Sequence, residues 1–149
     1  MKRQVVTMMI AALVVAIASV TTVRAQNAGS VSVTIPFEFS VGTRTLPAGD
    51  YNVRRTLQGG SVVMRIQDNN NSVRVFLPNA RAVGGSDIQA ESKLVFSRYG
   101  NQYFLSQIWI AGRSTGAELY KTNRERSLQR EVARNGGKPE RVAIAGKLD

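Results

Sequence analysis

The feature that most constrains this chain is a strict alternation of apolar and polar residues between positions 31 and 41. Apolar residues occupy every second position: Val31, Val33, Ile35, Phe37, Phe39 and Val41. Because successive side chains of a β-strand point to opposite faces of a sheet, this spacing predicts one strand over residues 31–41. A strand with one apolar face must bury that face against another layer, so a β-rich fold is expected.

The segment before this strand predicts an export signal and no part of the fold. A short basic start over residues 1–3 precedes an almost unbroken apolar run over residues 5–20, and Val23-Arg24-Ala25 resembles a signal-peptidase site. We therefore predict a signal peptide over residues 1–25 and a single β-rich domain over residues 26–149, exported to the periplasm or the exterior. The apolar run is short for a transmembrane helix, so we expect no membrane-spanning segment after cleavage.

The composition excludes several classes of enzyme. The chain of 149 residues contains no His and no Cys, so imidazole or thiolate metal sites and catalytic triads built on these residues are impossible. A Gly-rich phosphate loop is also lacking, and we expect neither a metal nor a cofactor. The net charge is +10, and loss of Lys2, Arg3 and Arg24 with the signal peptide lowers it to +7.

Turn sequences divide the rest of the chain into short strands. The segment Asp68–Asn71 predicts a four-residue hairpin loop. The pairs expected around this loop are Ile66 with Val73, Met64 with Val75, and Val62 with Leu77. This register places Arg65 directly opposite Arg74 on the outer face, where like charges either extend into water or share an anion.

A second hairpin is predicted around Gly100-Asn101, between strands over residues 92–99 and 102–110. Pairing outward from this turn brings together Arg98 with Tyr103, Phe96 with Leu105, Leu94 with Gln107, and Ser92 with Trp109. The opposite face of the hairpin also carries apolar residues, namely Val95, Phe104 and Ile108. A hairpin that is apolar on both faces must bury each face against another part of the protein.

One helix is predicted near the end of the chain. Thr122-Asn123-Arg124-Glu125 has the form of a capping box, in which the Thr and Glu side chains accept from each other's backbone amides. Leu128 and Val132 share one helical face, and Asn135-Gly136-Gly137 predicts the end of the helix. The apolar stripe is narrow, so the helix should lie on the surface of the sheet.

These elements together predict a mainly all-β fold: an antiparallel β-sandwich or small barrel of about seven or eight strands, with one C-terminal helix packed on its surface. An outer-membrane barrel is the rival architecture. Its strands would run to about ten residues throughout, whereas the later strands here are shorter and a helix interrupts them. We therefore expect a soluble β-domain.

Six short motifs are distinctive: Ile35–Gly42, Leu46–Tyr51, Leu94–Gly100, Tyr103–Trp109, Gly116–Leu119 and Glu125–Leu128. In this combination the chain resembles an uncharacterised family of small secreted proteins that is abundant in soil acidobacteria. The resemblance covers nearly all of the chain after the signal peptide and implies export. It implies no activity, ligand or catalytic residue, and the family often has His at the position of Ser97.

Arginines supply the candidate binding residues. Arg65 and Arg74 are expected to face each other on the sheet, while Arg126, Arg130 and Arg134 recur every four residues on one side of the helix. Such a basic surface can bind acidic polysaccharide or another polyanion, or it can be a solvated face that keeps the protein soluble. No stacking aromatic residues accompany these arginines, so we do not expect nucleic acid as the partner.

Carboxylates are the remaining candidates for catalysis. Glu38, Asp50 and Glu118 lie within the motifs, and a pair of carboxylates at a defined separation can hydrolyse glycosides. Nothing in the sequence brings two of them together, so no catalytic residue is assigned. We expect a non-enzymatic binding or structural module of the cell envelope or exterior; the alternative is a small carboxylate-dependent hydrolase acting on carbohydrate.

Overall fold

The computed structural model describes residues 29–58, 61–70, 72–77 and 80–149 of the chain. The predicted signal peptide lies outside the described residues. Within them the chain forms eleven strands, with one helix, α1, between the last two. The elements are β1 (Ser30–Ile35), β2 (Phe39–Val41), β3 (Arg44–Leu46), β4 (Gly49–Gln58), β5 (Ser61–Asp68), β6 (Arg74–Leu77), β7 (Arg81–Gly84), β8 (Ser92–Tyr99), β9 (Gln102–Trp109), β10 (Thr115–Glu118), α1 (Asn123–Arg134) and β11 (Glu140–Leu148).

The strands form one curled sheet in the shape of a half-barrel, in the order β3-β2-β9-β8-β11-β1-β4-β5-β6. β10 pairs with β9 and with β7. The described pairs are antiparallel apart from β2 with β9, which is parallel. The predicted mainly all-β fold with one helix is confirmed. The strands outnumber the seven or eight predicted because β2, β3, β7 and β10 contain only three or four residues each.

The prediction of one continuous strand over residues 31–41 is wrong. The alternation holds, but the chain leaves the sheet at Pro36 and returns at Phe39, so β1 pairs with β11 and β4 while β2 pairs with β3 and β9. Proline has no backbone N–H to donate to a ladder, which favours a break at this position. Between the strands, Phe37 stacks on Tyr103 with ring centroids 3.8 Å apart and meets the edge of Phe96 at 5.2 Å.

The predicted register between β5 and β6 is also wrong, by two residues. Met64 pairs with Leu77 and Ile66 with Val75, so the apolar side chains still share one face. The cause is the Asp68 side chain, whose Oδ1 accepts from the backbone N–H of Val73 at 2.8 Å. Asp68 therefore closes the hairpin and does not belong to its loop.

The hairpin of β8 and β9 follows the prediction only near its turn. Phe96 pairs with Leu105 as expected, but a bulge between Val95 and Phe96 shifts the remaining pairs by one residue. Leu94 consequently pairs with Ile108 and not with Gln107. The bulge turns Ile108 into the core, where its side chain is fully buried.

The core lies on the inner face of the curled sheet. Its largest fully buried side chains include Tyr51, Phe39, Phe96, Ile35 and Ile66. α1 packs on the other face against β8, where the Tyr99 hydroxyl donates to Glu125. In the described part of the chain, no helix is long and apolar enough to cross a membrane.

Candidate anion-binding face

The outer face of β1, β4, β5 and β6 carries a regular array of polar side chains, which we call the outer polar face. Direct cross-strand partners point their side chains to the same face of a sheet. The register therefore builds two parallel rows. The first row is Ser30, Arg54, Arg65 and Phe76, and the second is Ser32, Asn52, Gln67 and Arg74.

Two arginines of the first row are direct cross-strand partners. Arg54 on β4 pairs with Arg65 on β5, and side chains in such a pair start about 4.5–5.5 Å apart at Cβ. Arg74 is the diagonal neighbour of Arg65 and not its direct partner as predicted, because Arg65 pairs with Phe76. Arg54 was missed. Pairing the residues outward from a turn at Gly59-Gly60 would have placed Arg54 opposite Arg65.

The positive charge of Arg65 is poorly compensated. Its pKa lies below the usual value, first because the side chain is partly desolvated and then because Arg54 and Arg74 repel it. Its Nε is buried and has no hydrogen-bond partner among the described residues. The ion pairs of the described part of the chain, Arg81 with Glu118 and Arg98 with Glu140, involve none of these arginines.

A shallow depression of about 400 Å³ opens beside the arginine pair. Ser30 Oγ donates to Asn52 Oδ1 at 2.9 Å, and Oδ2 of Asp149 accepts from Ser32 Oγ and, at 3.5 Å, from Asn52 Nδ2. Cations, amides, hydroxyls and carboxylates thus meet in one concave surface. Its lining residues are Ser30, Asn52, Arg54, Arg65, Gln67, Asp68, Asn69 and Asp149.

An exposed aromatic residue borders the arginine pair. Phe76 is the cross-strand partner of Arg65, and 40% of it is exposed. The prediction that no aromatic residue accompanies these arginines is therefore wrong for Arg65. The signal was present in the sequence, because Phe76 shares the outer face with Arg74, but the predicted register placed Phe76 on the diagonal of Arg65 and not directly opposite it.

The five arginines predicted as one basic surface are divided between two places. Arg126, Arg130 and Arg134 are all exposed on α1, which contacts β8. Arg65 and Arg74 lie on β5 and β6, and the strands β11, β1 and β4 separate β8 from β5. The sheet and helix arginines therefore form two distinct surfaces.

The three candidate carboxylates do not converge. Glu38 is exposed between β1 and β2, and Asp50 accepts a hydrogen bond from Thr34. Glu118 binds Arg81 and accepts from Gln107 Nε2 at 3.3 Å, and the Arg81 hydrogen bond lowers the pKa of Glu118. None of the depressions found in the described part of the chain holds two of these carboxylates.

A fourth carboxylate, missed by the sequence reasoning, is buried beneath α1. Glu125 is only 4% exposed, and its Oε1 accepts from the Tyr99 hydroxyl at 3.3 Å. Burial raises the pKa of Glu125, and burial together with Glu125 raises the pKa of Tyr99 to about 12. Thr122 accepts from the Glu125 amide as predicted. The Glu125 side chain points into the protein, so it serves the interior and not a capping box.

The inner side of the half-barrel holds a smaller, mainly apolar cavity of about 210 Å³. Met64, Ile108 and Ile110 form its apolar wall, and Arg55 and Arg113 also line it. This volume is below the range of about 300–1,000 Å³ that small-molecule sites usually occupy. The outer polar face, whose depression is larger and is lined by cations, amides and carboxylates, is therefore a stronger candidate than this cavity.

Comparison of the chain with known proteins gives no match among protein-family models, curated proteins or solved structures. Function is therefore inferred from the residues of this chain alone.

Proposed function

We propose that this protein is an exported, non-enzymatic binding module of the cell envelope or exterior, and that its outer polar face binds an anionic polymer. The observation that carries the proposal is the direct pairing of Arg54 with Arg65, with Arg74 on the diagonal and no ion pair to a described carboxylate. The basic start and apolar run of the predicted signal peptide over residues 1–25 support export.

The energetics of the arginine pair support an anion as the missing partner. Like charges directly opposed across two strands destabilise a sheet, by roughly 0.2–1 kcal/mol. A bound carboxylate, sulfate or phosphate converts this repulsion into two charge-assisted hydrogen-bond pairs, and guanidinium groups present planar donors that match such anions. A polymer with regularly spaced charges can engage Arg54, Arg65 and Arg74 at once.

Binding is favoured over the carboxylate-dependent hydrolase that the sequence left open. Glycoside hydrolysis needs two carboxyl groups whose environments push their pKa values apart, held at a defined separation. Asp68 and Asp149 both line the depression, and Asp149 is exposed. Asp68 has a lowered pKa because Ser72 and the Val73 amide donate to it. The described residues that line the depression therefore offer no buried carboxyl group to act as the general acid. Glu125 has a raised pKa, but it lies under α1 and its hydrogen-bond partner is a tyrosine.

Two matched variants test the proposal on an immobilised heparin-type polyanion. The sheet variant replaces Arg54, Arg65 and Arg74 with Gln; the helix variant replaces Arg126, Arg130 and Arg134 with Gln. Each removes three positive charges, so any effect of net charge is the same in both. We expect the slope of log affinity against log salt to fall by about 2–3 for the sheet variant and by less than about 1 for the helix variant.

Circular dichroism and thermal unfolding should be measured for both variants, to establish that each retains the fold. Equal losses in the two variants would show that retention follows net charge and would overturn the assignment of the outer polar face. Elution of the wild-type protein at low salt would overturn polyanion binding altogether.

A further inference from the structure

The depression beside the arginine pair offers acceptors as well as cations. Among the described residues, the hydrogen bonds that reach the Asp149 carboxylate are made to its Oδ2 by Ser32 and Asn52. Asn52 and Gln67 add amide groups, which can both donate and accept. A ligand that fills this surface therefore needs hydroxyl donors in addition to negative charge.

Phe76 adds an apolar platform at the other end of the first row. Phe76 lies on an edge strand, is 40% exposed and is the cross-strand partner of Arg65. Aromatic side chains offer a large, rigid contact area at a low cost in conformational entropy. A flat ligand ring with an apolar face can pack on Phe76 while a charged substituent of the same ring reaches Arg65.

We infer that the outer polar face recognises uronate residues of an acidic polysaccharide, an assignment that rests on the proposed function. A polymer of uronate rings unites the features that the surface requires. The C–H face of one ring packs on Phe76 while its carboxylate pairs with Arg65. The next ring lies in the depression, where its carboxylate pairs with Arg54 and its hydroxyls donate to Asp149 and the amides. The depression of about 400 Å³ is large enough for one such ring.

Other polyanions satisfy only part of this surface. A sulfated or phosphorylated polymer gains from the arginines, but the Asp149 carboxylate in the same depression repels its dense negative charge. Single-stranded DNA can stack a base on Phe76 and donate from base amino groups to Asp149, but its charge lies in the phosphodiesters, so no charged substituent of the stacked ring reaches Arg65. The carboxylate within the basic surface is therefore the feature that favours a uronate.

The test measures the affinity of the chain after the signal peptide for polygalacturonate, for its methyl-esterified form, for dextran sulfate and for single-stranded DNA at one ionic strength. We expect the tightest binding to polygalacturonate and loss of binding on esterification. Phe76→Ala should weaken polygalacturonate binding roughly three- to tenfold and leave dextran sulfate unchanged. Ile88→Ala, which shortens another exposed apolar side chain, is the matched control and should change neither.

Asp149→Ala should change the affinities for polygalacturonate and for dextran sulfate in opposite directions. Loss of the acceptor should weaken polygalacturonate binding, whereas loss of the negative charge should strengthen dextran sulfate binding. Equal affinity for both polymers, unaffected by Phe76→Ala and Asp149→Ala, would overturn the uronate assignment and leave polyanion binding intact. Tighter binding to single-stranded DNA would overturn it in favour of nucleic acid. No binding to any of these polymers would overturn the proposed function as well.

Discussion

The two ends of the outer surface of the sheet differ in what covers them. α1 packs against β8, where the Tyr99 hydroxyl donates to Glu125, and the Tyr99 ring meets the Phe104 ring edge to face at 5.7 Å; both side chains are buried. Over β4, β5 and β6, the outward residues include Arg54, Arg65 and Gln67, which remain partly exposed. One sheet therefore presents a packed outer layer over β8 and β9, which we call the covered end, and a polar surface over β4, β5 and β6, which we call the open end.

Each end also holds one titratable group in a partly desolvated position, and the two groups respond differently. Glu125 beneath α1 can become neutral by retaining its proton, and its pKa is raised accordingly. Arg65 cannot lose its proton at any ordinary pH, so the desolvation and the repulsion by Arg54 and Arg74 that lower its pKa both persist. At the covered end, Glu125 can avoid a buried charge by keeping its proton. At the open end, Arg65 stays charged beside Arg54 and Arg74, and a bound anion can relieve their repulsion.

The largest expected effect compares two phenylalanines on this outer surface. Phe104→Ala should lower the free energy of unfolding by about 3–5 kcal/mol, because Phe104 is 3% exposed, packs edge to face on Tyr99 and leaves a cavity when it is removed. Phe76→Ala, at the open end, should change it by less than ~0.5 kcal/mol. Urea unfolding monitored by tryptophan fluorescence measures both. Similar losses in the two variants would mean that Phe76 is also part of a packed layer.

The next largest expected effect is a pH dependence of the free energy of unfolding, which arises from Glu125 at the covered end. The pKa of Glu125 is raised in the folded state, so in the wild-type protein its contribution is fully present below the ordinary carboxyl pKa. It is lost as the pH rises from that value through the raised one. Glu125→Gln removes this loss, so its stability relative to wild type should increase with pH across that window. One proton limits the slope to about 1.4 kcal/mol per pH unit.

Urea unfolding at a series of pH values between 4 and 8 measures this difference. Glu131→Gln is the matched control, because Glu131 is exposed on the same helix. It should change the free energy of unfolding by less than ~0.5 kcal/mol at each pH. A difference between Glu125→Gln and wild type that does not vary with pH would show that Glu125 is not held protonated by burial.

The sequence predicted which residues face inward better than it predicted which residues pair. Period-two spacing identifies the faces of a strand, and it remains valid across the break at Pro36. Pairing depends on details that spacing does not contain. The Asp68 carboxylate moved the β5–β6 register by two residues, and the bulge between Val95 and Phe96 moved that of β8 and β9 by one.

The residues of the candidate site were also predicted only in part. Arg65 and Arg74 were correctly placed on one outer face, because each alternates with inward apolar residues. Their relation to Arg126 on the helix could not be predicted, because no local pattern says which strand a surface helix covers. The capping role predicted for the Glu125 side chain failed for a similar reason, because the Tyr99 hydroxyl that donates to it is 26 residues away in the sequence.

The smallest expected effect is at Arg65 and concerns the open end. Arg65→Met keeps the aliphatic stem but removes the charge that opposes Arg54 and Arg74, so the free energy of unfolding should rise by about 0.2–1 kcal/mol at low salt. The gain should disappear in ~1 M salt, where the Debye length is about 3 Å. Urea unfolding at both salt concentrations measures it, with the exposed helix residue changed by Arg126→Met as the control.

The same variant separates stability from binding. Arg65→Met should bind polyanions more weakly than wild type even though it is at least as stable, because the charge it removes is the one that a ligand would neutralise. Arg126→Met should alter neither property appreciably. If Arg65→Met instead lowers the free energy of unfolding by more than about 1 kcal/mol, Arg65 is a structural residue like Phe104. The open end would then be held together in the same way as the covered one.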